Sequence, residues 1–264
     1  AIGVASIALG EFAVANQARA TAIGYANSAN GYASTAMGFG ANANGNYSVS
    51  IGSNTQAIGG GSLSMGDNAI ALANNAISIG YNVKARSDYS FVTGMYNDTT
   101  VTNSLFEIGN GTADNARKNA ITILRNGNMG LGNNNPLAHL QVTAGNVVFT
   151  GDPWNLPNLP ANPPVEGSGT RMFWYADKAA FRSGAVSNND WNKDSIGKYS
   201  FASGLDVKAK GNYSSAFGVN NAALGDYSFI AGTGNTAITT SGIAFGNNTQ
   251  SRNSGSVAIG NGLI

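Results

Sequence analysis

The chain has 264 residues, 42% of them apolar, and a formal net charge of +1. Charged side chains make up 10% of it and glycine supplies 36 residues, while cysteine is absent; an ordinary globular domain is about a quarter charged. This excludes a basic footprint for nucleic acid, a disulfide framework and thiolate chemistry, and, for want of about 18 consecutive apolar residues, a membrane span; the apolar content is too high for a disordered chain.

From residue 1 to 96 one short phrase returns every fourteen residues: a small residue, an apolar residue, then Gly10, Gly24, Gly38, Gly52, Gly66, Gly80 and Gly94. One and three residues before each of these phase glycines stand mostly large apolar groups, as in Leu9 and Ile7 or Ile51 and Val49. Two and four before stand almost only Ala and Ser, as in Ala22 and Ala20 or Ser50 and Ser48. Such period-two alternation is a strand with one bulky face and one small face. A row of alanines follows five after the phase glycine (Ala15, Ala29, Ala43, Ala57, Ala71, Ala85), and Gly31, Gly45 and Gly59 lie seven after it. Each unit thus divides into two short strands, with glycine expected to turn the corners.

Two strands and two turns in fourteen residues predict one coil of a parallel β-solenoid, with like residues stacked about 4.8 Å apart. So small a coil holds about one layer of side chains and buries little apolar surface by itself. The bulky ladder is expected to fill the roll, so that Ile51→Asp would bury an unpaired charge and cost several kcal/mol. The Ala/Ser face is expected to admit a second backbone, most economically in a closed trimer. The alternative is a monomeric solenoid with a solvated Ser face.

The phrases "GYASTAMGFGANANG", "GNYSVSIG" and "SVAIG" resemble the head repeats of trimeric autotransporter adhesins, the YadA-like heads. The resemblance implies a left-handed parallel β-roll, three rolls to a trimer, and a non-enzymatic extracellular fibre on a bacterial cell surface. It further implies a host-surface protein or a glycan as ligand without identifying one, and it calls for no cofactor. The chain opens inside a repeat and is read as part of a longer protein.

Between Gly94 and Gly204 the fourteen-residue phase is lost. Residues 97–151 read as a β-rich connector: "TNSLFEIGNG" and "NAITILRNGNMGLG" as strands with turns at Asn110-Gly111 and Asn126-Gly127, then "LAHLQV" and "NVVFTG" as shorter strands. The stretch "NGNMGLGNNNPLAHLQV" resembles segments of long bacterial surface proteins and of phage tail fibres, so a receptor-binding or shaft segment of a phage or contractile-injection tail fibre is the alternative function. Residues 152–196 are rich in proline and aromatics. Five of the six prolines lie between Pro153 and Pro164, which predicts an extended strap packed through Trp154 and Leu156. "GTRMFWY" reads as strand and "YADKAAFR" as a short helix, gathering Met172, Phe173, Trp174, Tyr175 and Phe181, with Trp191 beyond, into a small globular plug that widens the fibre. Those aromatics supply either a mini-core at the trimer axis or a ligand platform, for which Trp154, Tyr175 and Trp174 are the candidates.

Residues 197–264 restore the phase at Gly204, Gly218, Gly232, Gly246 and Gly260. The bulky ladder is here more aromatic (Phe201, Phe217, Phe229, Phe245), and Tyr199, Tyr213 and Tyr227 form a column. The organisation predicted is therefore all-β, two arrays of coils (1–96 and 197–264) separated by a β-rich insertion. Catalytic and metal chemistry lack their residues. His139 is the one histidine and is read as structural, and Asp190 and Asp194 are read as turn residues. The glycine-rich "GGGSLSMGD" occurs once, which is too little for a calcium-binding repeat.

Overall fold

The computed structural model describes residues 1–151 and 159–263. The chain forms two compact units, Ala1–Val147 and Val148–Ile264, each built on one long and one short sheet. In both, every coil contributes a strand of up to five residues, such as Thr21–Tyr25 or Phe201–Leu205, and a two-residue strand, such as Ser28–Ala29 or Lys208–Ala209. Successive coils pair in parallel with no slip: Ala22, Ala36, Ser50 and Ser64 stand above one another, as do Gly24, Gly38, Gly52 and Gly66.

The two faces of the long strand lie opposite to the sequence expectation. The small residues fill the roll. Ala22, Ala36, Ser50, Ser64 and Ser78, two before the phase glycine, are fully buried, and so are Ala15, Ala29, Ala43, Ala57, Ala71 and Ala85 from the short strand. The bulky ladder points outward, with Leu9 64%, Met37 36%, Met65 37% and Phe91 38% exposed. The reason is the narrowness of the coil. The Oγ of Ser50 reaches Thr55 Oγ1 across the interior at 2.8 Å, and that of Ser64 donates to the carbonyl of Ala69 at 2.7 Å. At Ser50 a side chain of two heavy atoms already spans the gap, and Ile51, next along the strand, stands half-buried on the outer face. The large cost expected for Ile51→Asp belongs instead to its neighbour Ser50.

Glycine turns only some of the corners, Gly40, Gly61 and Gly234 among them. Left-handed residues recur every seventh position, and most are not glycine: Ala26, Ala33, Tyr47, Asn54, Asn68, Asn75, Asn82 and Tyr89 have φ between 51° and 60°. Asn tolerates this region through its short polar side chain. Each corner N–H bonds to the preceding coil, as Asn54 to the Phe39 carbonyl at 2.8 Å. The phase glycine lies within the strand, and what it permits is close stacking: a Cβ on Gly52 (φ +129°) would stand 2.0 Å from the Gly66 carbonyl oxygen of the next coil. The buried serines four before the phase glycine close the adjoining turn, as Ser34 Oγ does to the Gly31 carbonyl and Ser214 Oγ to that of Gly211.

Asparagine marks a further interior rung. Asn27 Nδ2 donates to the carbonyls of Ile23 (2.6 Å) and Gly38 (2.7 Å), and its Oδ1 accepts the N–H of Ala41 (2.7 Å). Asn221 repeats the arrangement with Phe217, Gly232 and Asn235, and Asn235 with Ala231, Gly246 and Thr249. These three side chains clip adjacent coils together where the ladder bonds leave carbonyl lone pairs available.

Six strands outside the coils extend the same long sheets. In the first unit β1 (Ser104–Asn110) pairs in parallel with the last coil, β2 (Asn119–Leu124) and β3 (Met129–Leu131) follow antiparallel, and β4 (Leu140–Val142) is parallel to β3. The Asn126-Gly127 turn joins β2 to β3, while Asn110-Gly111 opens a longer loop; "NVVFTG" is not a strand. In the second unit β5 (Gly169–Tyr175) and β6 (Ala180–Val186) form an antiparallel hairpin around a short 3₁₀ turn at Ala176–Lys178, and β6 pairs in parallel with the first coil. The expected plug is thus a continuation of the sheet by two strands. Trp154 and Leu156 of the strap lie outside the described residues.

Candidate functional site

Among the described residues the feature that stands out is a surface. On the outer face of the first long sheet, Ile23, Met37, Ile51, Met65 and Ile79 make one apolar row, beside a second of Val49, Leu63, Ile77 and Phe91. The second unit repeats this in aromatics. Phe201, Phe217, Phe229 and Phe245 follow one another with ring centroids 5.3–5.6 Å apart, and Phe181 of β6 stacks on Phe201 at 5.2 Å. A contiguous apolar face of this kind is a mark of an interaction surface.

The hairpin β5–β6 carries the densest aromatic group. Its outward residues Met172 (73% exposed) and Trp174 (36%) join Phe149, Phe173 and Phe181 around an open apolar cavity of about 450 Å³. Trp174 also borders a shallower cleft of about 250 Å³ with Asn162, Tyr175 and Asp177. Tyr175 is no platform: it is 3% exposed, packs with Ala180 and Ile196, and donates its hydroxyl to the Ala161 carbonyl. Burial first, then the nearby Asp177, Glu166 and Asp194 carboxylates, push its phenol up to about 12. Of the three sequence candidates, Trp174 is the one the structure leaves accessible, and Trp154 lies outside the described residues.

Two buried charges escaped the sequence reading. Glu107 of β1 occupies the interior rung directly after Val92 and is 1% exposed. Its carboxylate accepts from Ser104 Oγ (2.5 Å), Asn97 Nδ2 (2.8 Å) and Asn119 Nδ2 (3.0 Å). Arg182 of β6 takes the equivalent rung before Ala202 and is fully buried. Its guanidinium donates to the carbonyls of Phe181, Ser200 and Ala209 and to Ser200 Oγ, at 2.8–3.0 Å. Burial depresses its pKa to about 9, which keeps it charged at neutral pH. Trp191, also fully buried, packs edge-on against Phe173 and donates its indole N–H to the Val207 carbonyl at 2.7 Å. These residues close the ends of the rolls, where a coil of alanines would leave an open gap and unmet carbonyls. The signal available was a charged residue at an Ala/Ser position of the alternation, hidden by the loss of the fourteen-residue phase.

The remaining candidates are unremarkable in place. His139 is exposed at the start of β4, and Asp190 pairs with Lys208. The tyrosine column is real: Tyr199, Tyr213 and Tyr227 stack with centroids 4.9 Å apart along the corner of the second roll. Among the described residues no group of three acidic or histidine side chains is placed to hold a metal ion, and no helix is long and apolar enough to cross a membrane.

Parallel fourteen-residue coils with a small-residue interior and an apolar outer face define an all-β solenoid of structural, adhesin type. The YadA head domain repeat, in two copies, matches residues 1–27, 29–55, 57–82, 209–229 and 240–262. The chain therefore carries the head repeats of YadA-like trimeric autotransporter adhesins, a family that is homotrimeric and surface-exposed in general. The matched residues are the coils; β1–β6 lie outside them. No curated protein matches the chain.

Proposed function

We propose that this chain is a segment of a homotrimeric extracellular fibre, a bacterial surface adhesin head that mediates attachment and has no catalytic role. The observation that carries the reading is the outward apolar ladder on coils that match the YadA head repeat. In a lone chain that ladder faces water in both units, and three copies arranged about an axis cover it while leaving the polar sides of the coils outside. Sedimentation equilibrium tests this: a mass of three chains is expected, and a folded monomer at micromolar concentration overturns it.

Attachment then falls to surfaces away from the axis. A host-surface protein or a glycan is the ligand class, and the contact we propose on the described residues is the cleft that Trp174, Asn162 and Asp177 line together. An aromatic face with flanking carboxylate and amide suits a sugar ring, whose C–H face stacks while its hydroxyls hydrogen-bond. Binding of the intact chain to immobilised glycans and matrix proteins, lost in Asn162→Ala with the oligomer unchanged, supports this contact; retention of binding removes it.

A further inference from the structure

The outer apolar face does not stop where the fourteen-residue coils stop. In the first unit the Phe91 and Thr93 rungs are followed in register by Phe106 and Ile108 of β1. Ile123 and Ile121 of β2 continue the rows, then Met129 and Leu131 of β3, then Leu140 and Val142 of β4. Strand direction reverses twice here, the spacing is irregular, and a bulge interrupts β1. The apolar alternation is nevertheless kept on the outward side, while the inward side changes to Glu107, Thr122 and Gly130. In the second unit the Phe201 rung continues into Phe181 of β6 and then Trp174 of β5, while Met172 tops the neighbouring outward row above Ser183 and Ser203; the inward positions beside them are Arg182 and Tyr175.

We infer that the self-association face of this chain runs beyond the head repeats onto β1–β4 in the first unit and onto the β5–β6 hairpin in the second, each covered by the like strands of another copy of the same chain. This rests on the trimer reading above. Two arguments name that occupant. The rows on β1–β6 are in register with the coil rows, so a copy that covers Ile51 and Ile79 at matching height covers Ile123 and Leu131 by the same symmetry operation. Further, the cavity beside Met172 is open and lined by Phe149, Met172, Phe173, Trp174 and Phe181, with no charged group among them, at the end of an aromatic row. It is a half-site that apolar groups of a neighbouring copy complete.

The absence of cysteine makes the test direct. Single variants Ile51→Cys, Ile123→Cys and Met172→Cys, with Asn44→Cys on the exposed short-strand side as reference, are treated in the intact chain with a short bismaleimide. Cross-linked pairs of chains are expected at positions 51, 123 and 172 in high yield, and at least tenfold less at 44. Cross-linking at 51 alone overturns the extension while leaving the trimer intact. A monomeric mass for the unmodified chain, with no pair at 51, overturns the trimer reading and the extension together. Equal yield at 44 overturns the assignment of the face.

Discussion

The coils and the strands added to their ends share sheets but obey different rules inside. Within the coils every interior rung is Ala, Ser, Asn, Thr or Val, with Ile230 as the largest member, because a second short sheet lies one small side chain away. In β1 and β6 that short sheet is missing, and Glu107, Arg182 and Trp191 fill the space with large polar groups: Arg182 and Trp191 donate to the last carbonyls of the roll, and Glu107 accepts from the side chains of Asn97, Ser104 and Asn119. Outside, nothing changes: the apolar row passes from coil to added strand. The difference teaches that the interior is a local solution to a local gap, whereas the outer face answers to one constraint along the whole of each sheet.

The contrast is broken hardest at the stacking glycines. Gly52→Ala sets a Cβ 2.0 Å from backbone oxygen at φ +129°, and a loss of about 4 kcal/mol is expected. Gly145→Ala, with nothing within 4 Å of its Cβ, leaves the urea midpoint unchanged. Next comes the pair that separates inside from outside. Ser50→Asp buries a charge in the coil and costs about 3 kcal/mol. Ile51→Asp on the outer face changes the stability of a dissociated chain by less than about 0.5 kcal/mol and acts instead on association; thermal melts together with dilution gel filtration read the two apart. Equal effects on melting would return the bulky ladder to the interior.

Asn221→Ala removes three hydrogen bonds in the second roll, two of them to the next coil. It is expected to cost about 2 kcal/mol, visible as faster amide exchange at Asn235. A smaller effect concerns the hairpin. The Tyr175 phenol is raised from 10.0 to about 12 in the folded chain, so the native state keeps a proton that the unfolded state gives up. Its contribution is full below pH 10 and is lost as pH rises through about 12. Wild type should lose denaturant stability over that window, and Tyr175→Phe should lack this component of the decline. The smallest change is Tyr213→Ala, which exchanges two stacked rings for an unhindered corner and shifts stability by about 1 kcal/mol or less; a larger loss would make the column part of the fold rather than of its surface.

Some of this was open to reading from residues alone. A period of fourteen with two-residue alternation permits only stacked parallel strands, so the coils, their phase and the ladders followed from chain order. The aromatic hairpin was visible as a cluster, and Trp174 was one of three candidates named there, with Tyr175, which the fold buries, and Trp154. What periodicity leaves undecided is which side of an alternating strand goes in. Hydropathy sends the bulky row inward, and it was wrong because the distance between two sheets joined by tight corners is a property of closure, not of any one strand. The corners were misassigned for a related reason: left-handed φ at Asn and Tyr is imposed by coil geometry, while glycine was required for the approach of the next coil's carbonyl. Glu107 and Arg182 showed their meaning only in three dimensions, since a buried charge is recognised by the empty rung it fills. The chain order alone thus specified a stack of coils, and the tertiary structure decided its inside and outside, because only the closed coil sets how much room there is.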